Sequence, residues 1–286
     1  MTPLKITLAG GFTCLAIYLF VTAPEPLADA NAQQASSCSY DTREVFEALN
    51  TLNDAARSIY TKRIVGGGLR AGLKFGEDWE EPGVEKGPLP ALFLRLTAAR
   101  LETKPAELGL YLGSDAPINA SNLFGKDQMQ VFQGVKATRE PAFSATEDAR
   151  LVAMYPDIAS VQPCVTCHNE HPDSPKTDWK LNDVMGATTW TYPTPQISAE
   201  EALAVIETML QSVAEAYGQY LEKTSGFAEP VPLGSMWPDT DLRQLPDLET
   251  FMQSVRAAAA PIVTSILISR SQASDFNEEF TPCKIS

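Results

Sequence analysis

Apolar residues recur at steps of three and four through Val45, Leu49, Leu52, Ala56 and Ile59, the spacing of one helix face. Asp41-Thr42-Arg43-Glu44 precedes them in the form of a capping box, so the pattern predicts a long helix over residues 42–65. Gly66-Gly67-Gly68 then reads as its terminator. Residues 75–90 are rich in glycine, proline and acids and read as a loop. A second helix is expected over 90–102, with Pro90 in the first turn, where a missing N–H is harmless.

Beyond Pro105 the rhythm changes. Segments 108–112, 143–145, 150–155 and 187–192 read as strands, rich in β-branched, aromatic or alternating positions. Residues 126–137 read as a helix, and 164–171 as a compact turn or helical turn. Helices followed by a small antiparallel sheet with a helix between its strands make an α+β class. Pro193 and Pro195 mark a linker. After it, Ser198 caps a helix with Leu203, Ile206, Leu210, Val213, Tyr217 and Tyr220 on one stripe. Leu248, Phe251, Val255, Ala258 and Ile262 repeat the pattern. One Pro-rich connector, 227–246, joins the two, so residues 193–286 are expected to form a C-terminal antiparallel helical hairpin.

The N-terminal residues change the compartment. Lys5, the apolar run 6–23 and Ala28-Asp29-Ala30 have the form of a signal peptide over 1–30, cleaved after Ala30 or retained as a single N-terminal anchor. Residues 31–41 then read as a loose N-terminus. The expected location is periplasmic or otherwise extracytoplasmic. The formal net charge of −14 argues against nucleic acid and against anionic membrane surfaces. Membrane contact is expected only through a retained N-terminal segment. Outside the cytoplasm, Cys38 and Cys283 can pair as a staple between the chain ends. The disulfide and two free terminal thiols both stand as readings.

The candidate chemistry lies in Cys164-Val165-Thr166-Cys167-His168, a C-x-x-C-H motif. Thiols one helical turn apart can add to the two vinyl groups of one haem, and the following imidazole then meets the iron. Cys164 and Cys167 are thus expected to hold one haem c, with His168 as axial iron ligand. A structural disulfide, a thioredoxin-like pair and a zinc site are the competing readings. Zinc through Cys164, Cys167, His168 and His171 is too tightly spaced for a tetrahedral site. His171 lies on the same side as His168 and suits a propionate or the surrounding hydrogen bonds better than the opposite axial position. Gly66-x-Gly68-x-x-Ala71 matches a dinucleotide fingerprint as a string but follows a helix, not a strand.

Residues 164–180, followed by Asp183-Val184-Met185-Gly186, resemble the single-haem, PAS-like c-type haem sensor family, formerly a domain of unknown function. The segment 62–68, Pro88-Leu89-Pro90-Ala91 and the strand before the motif also fit its pattern. The resemblance covers about residues 42–192 and implies a PAS-like haem c domain: an antiparallel sheet with flanking helices and a long N-terminal helix. Asp173, Lys176, Asp178 and Lys180 read as local turn and propionate contacts or as an ordinary solvated loop. Three departures stand out. Asn182 replaces a usual glycine, the segment after Tyr111 lacks the usual aromatic and basic residues, and no cysteine occurs from 39 to 163. The place comparable to the family's distal cysteine is near Tyr60. The sixth iron ligand is therefore open among Tyr60, Met129, Met154, Met185, water and none.

The expected function is a redox- or ligand-responsive sensor or binding module acting through a signalling or redox partner, matured by haem-attachment machinery. A periplasmic electron-transfer cytochrome is the alternative. No catalytic triad or carboxylate pair with useful spacing argues for an enzyme.

Overall fold

The computed structural model describes residues 39–238 and 242–269. The expected signal peptide or anchor, most of the segment 31–41, and the pair Cys38 and Cys283 lie outside the described residues.

The chain opens with a short strand, β1 (Ser39–Asp41), where a loose segment was expected, and enters α1 (Thr42–Ile59). Asp41 caps α1 by accepting from the Arg43 N–H at 2.9 Å. The triple glycine does not end this helix. The backbone widens into a π-helical stretch, Tyr60–Val65, and runs on as α2 (Gly66–Arg70). The reason is packing. A Cβ on Gly67 would lie 2.6 Å from the Pro238 carbonyl oxygen, and one on Gly68 would lie 3.0 Å from the Phe75 ring. These glycines admit close neighbours instead of breaking the chain.

Next come α3 (Pro90–Glu102), β2 (Gly109–Gly113), α4 (Lys126–Thr138), β3 (Ala142–Ala145), β4 (Leu151–Ile158), α5 (Gln162–Glu170) and β5 (Val184–Tyr192). The four strands form one antiparallel sheet in the order β2-β5-β4-β3. Alternation divides its faces. Leu110, Ala153, Tyr155, Trp190 and Tyr192 enter the main core, while Met154, Val184 and Ala187 pack with Phe124 and with Phe132 and Val135 of α4. The sheet is thus covered on both faces, and the class is α+β.

β6 (Gln196–Ser198) pairs antiparallel with β1, Tyr40 opposite Ile197. Thr42 ties the same junction, donating its N–H to the Pro195 carbonyl at 3.1 Å and its hydroxyl to the Thr194 carbonyl at 2.7 Å. Ser198 then caps α6 (Ala199–Ser225) in a full capping box with Glu201. The connector includes β7 (Leu233–Gly234), which pairs in parallel with β8 (Leu245–Pro246), and α7 (Leu248–Ser269) follows.

Both late helices share the main core with α1, α3 and the sheet. α7 lies chiefly on α1, and α6 chiefly on α3. Their buried stripes hold the expected Leu210, Val213, Tyr217 and Tyr220 in α6 and Phe251 and Val255 in α7, and differ from the expected ones at their edges. Leu203 is 64% exposed, whereas Val205 and Met209 join Leu210, Val213, Tyr217 and Tyr220 inside. In α7, Ala259 is buried where Ala258 was expected, and Leu248 is exposed. The side chain of Ile262 lies outside the described residues. These stripes serve two neighbours at once, which widens them beyond a simple three-four seam.

Candidate functional site

α5 carries Cys164, Cys167 and His168 on successive turns of one short helix, entered through Pro163 in its first turn. Val165 is its one buried residue and packs with Ala159 and Trp179 in a small cluster separate from the main core. Asn169 clamps the following loop. It accepts from the Trp179 N–H at 2.8 Å and donates to the Trp179 carbonyl at 3.0 Å. The loop turns at Asn182, whose φ is +70°. Glycine suits such a position, and asparagine is the side chain that best tolerates it. The departure noted at this position therefore preserves the backbone shape.

Both thiols are free, Cys164 partly buried and Cys167 exposed. Burial pushes the Cys164 thiol up in pKa. Burial also raises Cys167, aided by Glu77, Cys164 and Glu170. A redox-active C-x-x-C needs the reverse, a stabilised thiolate. His168 stands edge-on to Trp179, ring centroids 6.4 Å apart, and its buried Nδ1 has no hydrogen-bond partner among the described residues. Burial lowers its pKa, opposed by Asp157, so the imidazole is favoured in the neutral form that binds metal. Among the described residues, no group of three or more His, Cys, Asp or Glu side chains is placed to hold a metal ion.

Two charged neighbours were missed by sequence reasoning. Arg57 of α1 pairs with Asp157 of β4 at 2.5 Å, beside Cys164. The register of β4 on β5 shifts between Asp157 and Ile158, and such an irregularity re-aims a side chain out of the ladder. No local signal links two residues so far apart in sequence.

An open cleft of about 340 Å³ is lined by Glu77, Leu92, Arg95, Ile118, Asn119 and Asp173. His171 stands at its rim. Its Nδ1 accepts from the Asp173 N–H at 3.2 Å, and its Nε2 faces Glu77 at 3.5 Å. Lys176 pairs with Asp178 and lies over the Trp179 ring, 4.7 Å from its centroid. The Lys180 N–H is bonded to Asp183 at 2.9 Å. Tyr60 is fully buried, stacked on Phe93 at 4.1 Å, and donates its hydroxyl to the Pro88 carbonyl at 2.8 Å. Met129 and Met154 belong to the α4 side of the sheet, while Met185 packs on the Val165–Trp179 cluster. None of these four side chains lines the cleft.

A family model described as Tll0287-like matches residues 27–193. The chain belongs to the Tll0287-like family. The match spans the sheet, α5 and its clamp, and stops at the linker before β6, so α6 and α7 are additions to the Tll0287-like region. No curated protein and no solved structure gives a match.

The residues of this Tll0287-like site fit a covalently held haem. Two unpaired thiols stand one turn apart, and an orphaned imidazole nitrogen follows them. Among the described residues, no helix is long and apolar enough to cross a membrane.

Proposed function

We propose that this protein is an exported, single-haem c-type sensor or binding module whose PAS-like sheet domain holds the haem on α5. The observation that carries this reading is the placement of two unpaired thiols and an unpartnered imidazole nitrogen together on one short helix. Cys164 and Cys167 would hold the haem through thioether bonds, and His168 would ligate its iron. A haem bound there supplies an iron that can change valence or take a small ligand. The chain's own residues do the rest. Val165 and Trp179 seat α5, Asn169 fixes the loop beneath it, and the Arg57–Asp157 pair sets the charge beside Cys164. The late helices α6 and α7, read as a helical hairpin, carry the response to a signalling or redox partner because they share the core with α1 and the sheet.

A second reading, electron transfer in the periplasm, is favoured by the exposure of Cys167, which would leave a haem edge at the surface. One experiment separates the readings. The exported protein is matured with haem-attachment machinery, assayed as a pyridine haemochrome, and its spectra are recorded oxidised, reduced and reduced with CO. Covalent haem with a CO-shifted Soret band supports sensing. Covalent haem indifferent to CO moves the assignment to electron transfer. Absence of covalent haem in protein with an intact motif overturns both.

A further inference from the structure

We infer that residues 75–87 form a strap joining the end of α5 to the end of α6, so that a change at the motif helix is felt where the connector to α7 begins. Such a link does not depend on what α5 binds. With haem there, it is the route by which the late helices would register it. The segment is closed at its neck. Gly76 donates its N–H to the Gly87 carbonyl at 3.1 Å, and Gly87 donates its own to the Lys74 carbonyl at 2.8 Å. Lys86 spans the segment to Asp78 at 2.7 Å. Trp79 is 3% exposed and stands beside Gln219, Glu222 and Lys223 of α6. With its ends joined and its interior packed, the segment has the form of an Ω-loop, a compact unit that is frequently functional.

Its two ends are held unequally. On α6, Gln219 donates to Glu80 at 3.2 Å, and Lys223 donates to the Glu81 carbonyl at 2.9 Å. Just past α6, the Ala228 N–H donates to the Glu85 carboxylate at 2.6 Å, a charge-assisted bond. Gly87 lies tight against Tyr220, since a Cβ there would stand 2.5 Å from its ring. On α5 the hold is light. The His171 N–H closes the last turn of α5 on the Cys167 carbonyl at 2.9 Å. Its Nδ1 accepts from the Asp173 N–H, which leaves the ring hydrogen on Nε2, facing Glu77 at 3.5 Å. Glu77 is exposed, and exposed pairs of this kind are weak. The strap therefore travels with α6, and the Glu77–His171 contact is the end that can let go. Glu77 also bears on the Cys167 thiol, so a new charge on that side of α5 acts on the strap directly.

The test uses the full chain as isolated after export, in wild type, His171→Ala, Glu77→Ala, Glu85→Ala and the double variant H171A/E77A. Amide exchange by mass spectrometry is read over 76–86, 219–230 and 162–171. H171A should quicken exchange over 76–86 by about two- to fivefold. It should also quicken 219–230, at the far end, by about twofold. E85A should quicken exchange at Ala228 by about tenfold or more, and its effect should reach 162–171 in turn. In the E77A background, H171A should add nothing at 219–230. Effects confined to the end that was altered overturn the strap. An H171A effect at 219–230 that is the same with and without Glu77 also overturns it, because the signal then runs through the core. Glu77 and Glu85 are exposed, so both variants should fold. If H171A does not fold, E77A read at 219–230 and E85A read at 162–171 carry the same comparison. A pyridine haemochrome assay on the same samples scores the haem reading separately, and the exchange comparison holds with or without haem.

Discussion

Replacing Trp179 with alanine should loosen α5 and leave the main core standing. The ring is 3% exposed and packs with Val165 and Ala159, with Met185 and Ala116 at the edge of the cluster. A buried tryptophan covers about 200 Å², so at about 25 cal/mol per Å² its burial is worth at most about 5 kcal/mol. Most of α5 is exposed, and its small cluster can collapse into the gap. A loss of about 3 kcal/mol is therefore expected, the low end of the range for Trp→Ala. Because the cluster is separate from the main core, the loss should appear as local opening. The assay is urea unfolding together with amide exchange by mass spectrometry, comparing residues 162–170 with α1. Exchange over 162–170 should quicken while α1 stays protected. Asn169→Ala, which removes the two clamp bonds and spares the ring, should cost about 1–3 kcal/mol and open the same segment. If W179A leaves exchange over 162–170 unchanged, the claim that Trp179 fastens the motif helix is refuted.

Gly67→Ala places a methyl 2.6 Å from the Pro238 carbonyl oxygen and should destabilise by about 1–3 kcal/mol in urea unfolding; a neutral result would return Gly67 to a chain-breaking role. Asn53 is fully buried with both side-chain amide atoms unpartnered among the described residues, so Asn53→Leu should stabilise by about 1–3 kcal/mol, and a loss would point to a buried water at the amide. Ser198→Ala removes the cap of α6 and should cost about 1 kcal/mol, read from the urea midpoint. Acidification should weaken both late helices. The Ser198 N–H and hydroxyl hold Glu201 below its ordinary 4.5, and the Thr250 N–H and side chain hold Asp247 below its ordinary 3.8. Depressed carboxylates stabilise above their unfolded pKa and lose that contribution as pH falls through the folded one, so melting temperature should drop from about pH 5 downward. Glu201→Gln should flatten that slope. Asp54, raised mainly by burial, works in the opposite sense.

Features decided by neighbours in sequence were legible. The helix at Pro90–Glu102 has the expected bounds because Pro90 starts it, and α6 begins where Ser198 and Glu201 complete a capping box. The C-x-x-C-H motif also lies on one helix, slightly longer than the compact turn foreseen. What was not legible depends on distant partners. Gly66-Gly67-Gly68 looks like a stop until Pro238 and Phe75 are known to press on it. Spacing alone includes Leu203 in the α6 stripe, because it does not reveal the neighbours on α1, α3 and the sheet that bury Val205 and Met209 instead. At the site, Arg57 and Asp157 meet only because α1 crosses β4, and Arg95 faces the cleft only because α3 packs beside the loop at 116–122. Burial of Tyr60 answers to Phe93 and Pro88, and periodicity named neither.

The pairing of β1 with β6 sets the way into the sheet domain beside the way out, with Ser39 opposite Ser198. Whatever follows Ser198 is therefore launched from the doorway of α1, and α6 and α7 return from there into the core that α1, α3 and the sheet already share. Strand pairing and core packing fasten the same junction twice, so the first and last described parts of the chain should come apart together, as one seam.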